Sequence, residues 1–138
     1  MRNLFQLFAI TALVIANAAC TRSVNNPSPA PTPMEGNFKI TLLTDNSSGD
    51  ITTDFAAYTF QFNPDGKIIA TTGSSSENGT FTETASHEGE GAKFEIKFNT
   101  SPLNKLNKKW QIEAKTSDTI HLKDDNSVSI ERLHFAKI

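Results

Sequence analysis

The stretch YTFQFNPDG, residues 58–66, decides the fold. Tyr58, Phe60 and Phe62 alternate with Thr59 and Gln61. That is the period of a strand, in which successive side chains point to opposite faces. Asn63-Pro64-Asp65-Gly66 then supplies turn chemistry: proline presets its φ, and glycine accepts a positive one. KIIATT (67–72) returns, so the unit reads as a β-hairpin. The same alternation recurs outward along the chain. NFKITLL (37–43) sets Phe38, Ile40 and Leu42 against Lys39 and Thr41. GTFTETA (79–85) sets Phe81 and Glu83 against Thr80, Thr82 and Thr84. KFEIKF (93–98) alternates strictly, with Phe94, Ile96 and Phe98 inward. KWQIEAK (109–115) places Trp110, Ile112 and Ala114 inward, and TIHLK (119–123) does so with Ile120 and Leu122. SIERLHFAKI (129–138) ends on Leu133 and Phe135. Its parity breaks between Ile130 and Leu133, which reads either as a bulge near Glu131-Arg132 or as a strand that starts later. Short alternating strands with turn signals every eight to twelve residues specify an all-β fold. The expectation is an antiparallel up-and-down meander of about eight strands, which loses its edges by closing into a barrel. One segment departs from the pattern. In SPLNKLN (101–107), Ser101 suits a helix cap and Pro102 a first helical position. A short helical turn there would lay Leu103 and Leu106 over an open barrel end.

The totals bound the rest. A chain of 138 residues holds one domain of this kind. Its formal net charge is −2, and the only basic residue among the first twenty is Arg2. No basic footprint for nucleic acid or anionic lipid is present. A single cysteine excludes an intramolecular disulfide, so burial alone must stabilise the core. Ten Phe, one Trp and one Tyr supply much of the area for it.

The N-terminus reads as an address. Arg2 is a positive start, and residues 4–16 are apolar except for Gln6 and Thr11. That length suits a signal-peptide core and is short of the roughly 20 residues a spanning helix needs. Two cleavage readings follow. Ala16-Asn17-Ala18 fits an ordinary signal peptidase and would leave Cys20 as a free thiol. Alternatively cleavage falls before Cys20, because Ala18-Ala19-Cys20 resembles the end of a bacterial lipoprotein signal. The resemblance implies a signal peptide over 1–19, fatty-acid (palmitate-type) acylation of Cys20, and a membrane held through that N-terminal anchor. Thr21 occupies the position where Asp often retains such proteins at the inner membrane. The implied address is therefore the outer membrane, facing the periplasm. Residues 20–35 then form a stalk: Pro27, Pro29, Pro31 and Pro33 favour extended polyproline II, at ~3 Å per residue.

The domain, residues 36–138, itself resembles a family. YTFQFNPDGKIIATTGSSSENGTF, KFEIKF, SPLNKLNKKWQIEAKTSDTIHLKDD and ERLHFAKI, in that order, look like the small lipocalin-like lipoproteins of Gram-negative bacteria. Gly36-Asn37-Phe38 stands where many members have Gly-x-Trp. A weaker likeness is to META-type envelope domains, with Thr72-Gly73-Ser74 where those carry Gly-Cys-Asn. The first resemblance implies a lipocalin-like β-barrel and a small apolar ligand or an envelope protein as partner. It implies no catalytic motif.

The residues point the same way. There is no Gly-x-Ser-x-Gly, and Cys20 is consumed by the anchor, so an enzyme is not expected. His121 and His134 fall between inward residues and should face outward, as neighbours if the last two strands pair. His87, Glu88 and Glu90 share the loop SHEGEG (86–91), which reads as a polar hairpin rather than a metal site. TDNSSGD (44–50) has Asp45, Asn46 and Asp50 but not the spacing of a calcium loop. Three Asn-x-Ser/Thr matches, at Asn46, Asn78 and Asn99, are idle in a bacterial envelope. No cofactor or metal is expected. The aromatic set Tyr58, Phe60, Phe62, Phe81, Phe94, Phe98, Trp110 and Phe135 alone has binding potential. An eight-stranded barrel is just wide enough to be filled by side chains or to hold one small ligand. So these rings either line a ligand cavity or pack a solid core, and their number leans toward packing.

Overall fold

The computed structural model describes residues 33–87 and 89–138. Among these residues nine strands form one antiparallel sheet: β1 (Gly36–Asp45), β2 (Gly49–Asp50), β3 (Thr59–Phe62), β4 (Lys67–Thr72), β5 (Ser75–Thr84), β6 (Lys93–Lys97), β7 (Lys109–Lys115), β8 (Thr119–Asp124) and β9 (Arg132–Lys137). Apart from the two-residue β2, which folds back antiparallel on the end of β1 so that β1 pairs onward with β3, each strand pairs with the next in sequence. β9 also pairs with β1, which closes an eight-stranded up-and-down barrel. Closure leaves no long edge to recruit another chain.

The hairpin that opened the sequence forms as its residues dictate. Asn63 N–H donates to the Lys67 carbonyl at 2.9 Å, and Gly66 N–H to the Asn63 carbonyl at 3.0 Å. Gly66 sits at φ +83°, open to glycine at little cost. Asp65 Oδ1 accepts the Lys67 N–H at 3.1 Å, a side-chain turn bond of the kind aspartate favours. Gly79 answers a different need. A Cβ there would stand 2.5 Å from the Lys97 carbonyl oxygen and 2.7 Å from the Phe98 ring, so its bare Cα lets that ring cross the wall.

Several details differ from the sequence reading. β1 carries a register shift between Ile40 and Leu42, so Leu43 is buried and Leu42 only half-buried. β7 has a similar shift between Ile112 and Ala114, which leaves Ile112 half-buried and Ala114 exposed. Each extra residue turns the alternation over, and the bend it adds helps the sheet close. β9 starts at Arg132, so the parity break marks a late start, with Ile130 outside the strand. β5 begins at Ser75, well before Gly79, after a two-residue turn at Gly73-Ser74. The polar run SSEN hides that strand half because its partners lie at the barrel rim. The expected turn over the barrel end exists as a 3-10 turn, Leu103–Leu106. Pro102 occupies the capping position, and no Ser101 side-chain cap forms. A second 3-10 turn, Thr52–Phe55, buries Phe55 completely.

The topology gives the barrel two unlike ends. The proximal end, where residues 33–35 enter, carries the 63–66 turn, the β5–β6 loop and the β7–β8 turn. The distal end carries the β1–β3 connection, the Gly73-Ser74 turn, the Leu103–Leu106 turn and the loop between β8 and β9. Met34, 3% exposed, plugs the proximal end.

Candidate functional site

The aromatic set divides sharply. Phe62 on β3 lies at the centre, with ring centroids 5.4 Å from Phe38, 5.1 Å from Phe81 and 5.4 Å from Phe135, all edge-to-face. Phe94 stacks on Phe81 at 5.4 Å. Phe60 meets Phe135 at 5.4 Å and Phe98 at 6.4 Å. These are favoured geometries, in which the positive edge of one ring meets the negative face of the next. Trp110 is fully buried, and its indole N–H donates to the Leu106 carbonyl at 3.0 Å. That bond fastens the Leu103–Leu106 turn over the distal end. Seven of the eight aromatics are thus buried, and six of them, all but Trp110, touch one another ring to ring. Tyr58 alone is only half-buried, tilted against Phe55 and Phe60.

Tyr58 opens onto a depression of about 340 Å³ in the distal mouth, open to solvent. The β4–β5 register builds its inner wall, because Thr72 pairs with Ser75 and Ala70 with Glu77. Ala70 faces inward and is buried, so Glu77 shares the inward face. Leu103 closes the apolar side and Thr100 the polar one. Glu77 Oε1 accepts the backbone N–H groups of Asn99 at 2.8 Å and Thr100 at 3.0 Å, and Oε2 accepts the Thr100 hydroxyl. The Thr100 hydroxyl, with the two backbone donors, holds this carboxyl below the usual glutamate range. Sequence reasoning passed over Glu77 because it placed the strand start two residues later. The only available signal was an acid in a hydroxyl-rich hairpin, which also reads as a surface turn.

A second polar group hidden from the sequence is Glu131, 4% exposed. Its Oε1 accepts the Asn46 N–H at 3.1 Å, and its Oε2 pairs with the Lys108 ammonium. Lys108 also lies 4.0 Å from Asp124 and 5.8 Å above the Trp110 ring. Asn46 adds two further bonds: its Oδ1 accepts the Ile130 N–H, and its Nδ2 donates to Ser129 Oγ, both at 3.1 Å. The β8–β9 loop is therefore strapped down by polar contacts while Val128 and Ile130 point into solvent, 84% and 74% exposed.

The histidines fall where alternation puts them. His121 and His134 pair across β8 and β9 on the outer face, half-buried, with rings stacked 4.0 Å apart at 14°. Burial, then the neighbouring His121, pushes the His134 imidazole below its ordinary 6.5; Arg132 acts the same way and Glu113 opposes. In-plane lone pairs of two parallel rings do not converge on one point, so the pair is not a ready chelate. His87 and Glu90 form an isolated bridge about Gly89. Among the described residues no three His, Cys, Asp or Glu side chains gather to hold a metal ion. In TDNSSGD the carboxylates act as turn caps. Asp45 Oδ1 accepts from the Ser47 and Ser48 amides, and the Ser47 hydroxyl and amide chiefly draw its pKa to about 2. Asp50 Oδ1 accepts the Thr52 amide and hydroxyl at 2.9 and 2.6 Å.

Cys20, the expected signal segment and residues 20–32 of the expected stalk lie outside the described residues. No helix among the described residues is long and apolar enough to cross a membrane. Comparison with protein-family models, curated proteins and solved structures finds no match to this chain.

Proposed function

We propose that this chain is a lipid-anchored protein of the bacterial envelope, tethered through Cys20, whose barrel is a packed interaction module rather than a carrier with a ligand in its centre. The observation that supports the second half is the ring cluster about Phe62. Phe38, Phe60, Phe62, Phe94, Trp110 and Phe135 are each at most 1% exposed, and edge-to-face contacts of Phe62 with Phe38 and Phe135 and of Phe60 with Phe135 hold the rings against one another. A ligand at the centre would have to displace them. Contact with an envelope protein would then use the outer surface and the distal end, which faces away from the tether. The anchor rests on Ala18-Ala19-Cys20 and the proline stalk. A rigid barrel on a stalk of extended chain samples a hemisphere a few nanometres off the membrane. The small-ligand reading survives at one place, the distal mouth beside Tyr58, because the mouths of β-barrels are where such sites form.

The test is made in two independent parts. The full chain, expressed in a Gram-negative host fed labelled palmitate, is expected to carry label and to fractionate with membranes, and Cys20→Ser to lose both. Chemical cross-linking in intact cells is expected to join the barrel to an envelope protein through lysines of the distal half, such as Lys105. An unlabelled, soluble chain overturns the anchor. A cross-link pattern confined to random self-contacts overturns the interaction module.

A further inference from the structure

The distal mouth has a chemistry that the packed centre lacks. Its walls combine an apolar surface (Tyr58, Ala70, Leu103), hydroxyl groups (Thr72, Ser75) and a single carboxylate, Glu77. Glu77 already accepts three hydrogen bonds, all from neutral donors. A carboxylate offers about four acceptor sites, so one remains. The ion pairs among the described residues do not include Glu77. The site is therefore preorganised around a negative charge that no basic side chain among the described residues neutralises. The three donors fix where that charge stands, and no basic side chain lines the depression.

We infer that the distal mouth binds a small organic cation: a primary ammonium group on a compact apolar body. The ammonium would donate to the free acceptor site of Glu77 and to the hydroxyl rim. The apolar body would lie against Tyr58 and Leu103, where a cation beside the ring is further favoured by the ring quadrupole. Anions are repelled by Glu77, and a neutral alcohol can donate one hydrogen bond to it but gains no charge–charge or cation–π attraction. A volume of about 340 Å³ is near the lower end of ligand pockets, which restricts the guest to roughly one ring and a short chain. This goes beyond the tether-and-partner reading and does not depend on it: the mouth has this chemistry whether or not Cys20 is acylated.

The test uses the full ¹⁵N-labelled chain in detergent and three probes of nearly equal shape: 2-phenylethylammonium, 2-phenylethanol and 3-phenylpropionate. Amide shifts are expected at Ser75, Ser76, Glu77 and Thr100. The ammonium should bind roughly tenfold tighter than the alcohol, the sum of an exposed ion pair and a modest cation–π contact, and the carboxylate should not bind. Glu77→Gln should bring ammonium and alcohol to equal affinity. Thr72→Phe, which plugs the mouth, should abolish the shifts from both. Equal affinity of ammonium and alcohol for the unaltered chain overturns the inference, as do shifts located elsewhere or none at millimolar probe. Should Glu77→Gln fail to fold, the comparison of the three probes on the unaltered chain still decides.

Discussion

The two ends of this barrel are closed by different means. The proximal end is closed by the 63–66 and β7–β8 turns, the longer 85–92 loop and Met34, and Phe38, Phe62, Phe81 and Phe94 pack against one another beneath them. The distal end carries the two-residue Gly73-Ser74 turn and three connections that fold back over the barrel, two with 3-10 turns and the strapped β8–β9 loop. Those three connections satisfy backbone groups with the side chains of Asn46, Thr52, Glu77, Asn107 and Glu131. Each end carries a solvent-open depression, about 340 Å³ beside Tyr58 and about 240 Å³ beside Met34 and Phe81, and only the distal one is lined by a carboxylate held by three hydrogen bonds. On the proposed reading, stability concentrates at the ring cluster and recognition at the distal rim.

That division can be broken most severely at the ring cluster. Phe62→Ala removes a ring that touches four others and is expected to cost about 3–5 kcal/mol in urea unfolding. A cost below about 1 kcal/mol, the range of a poorly packed site, would mean the centre is not solid. Next comes the distal strap. Glu131→Ala leaves the Asn46 amide without its acceptor and Lys108 without its closest partner, at an expected cost of about 1–3 kcal/mol, with lost amide-exchange protection confined to the β8–β9 loop and the β1–β2 turn. Global loss of protection would show that the two ends do not act separately.

A smaller effect follows from the stacked histidines. His134 titrates below its ordinary 6.5, so the unfolded chain takes up its proton first as pH falls. The contribution of His134 is therefore intact above about pH 6.5 and declines below it, toward the folded value. The lowered carboxylates Asp45, Asp50, Asp65 and Glu77 act only below the ordinary carboxylate range, a separate window. The urea midpoint should fall between pH 7 and 5, and His121→Ala should flatten that slope. Smallest of all is Val128→Ser: the side chain is 84% exposed, and a change within about 0.5 kcal/mol is expected. A larger loss would assign Val128 a packing role at the distal end.

Alternation made most of the barrel wall legible. Phe60, Phe62, Phe94, Ile96, Trp110, Leu122 and Phe135 all lie inward as their parity requires. The reading failed where parity is not conserved: at Thr41 and Glu113 an extra residue enters a strand, and no residue type announces it. It also failed at residues 75–78. There β5 runs along the barrel rim, so Ser75 and Glu77 face inward without needing to be apolar. The distal site was hidden for the same reason. Tyr58 was legible as an aromatic on an inward face, but Glu77 and Glu131 take their roles from bonds to residues more than twenty positions away.

The claim that most needs testing is that the barrel centre is filled. A titration of the folded full chain with the apolar fluorophore 1-anilinonaphthalene-8-sulfonate addresses it directly, because this anion is repelled by Glu77 and reports only an apolar cavity. The account predicts no saturable enhancement above the detergent background, and a one-to-one binding site appearing in Phe62→Ala. Saturable one-to-one binding to the unaltered chain would contradict it and make the barrel a carrier.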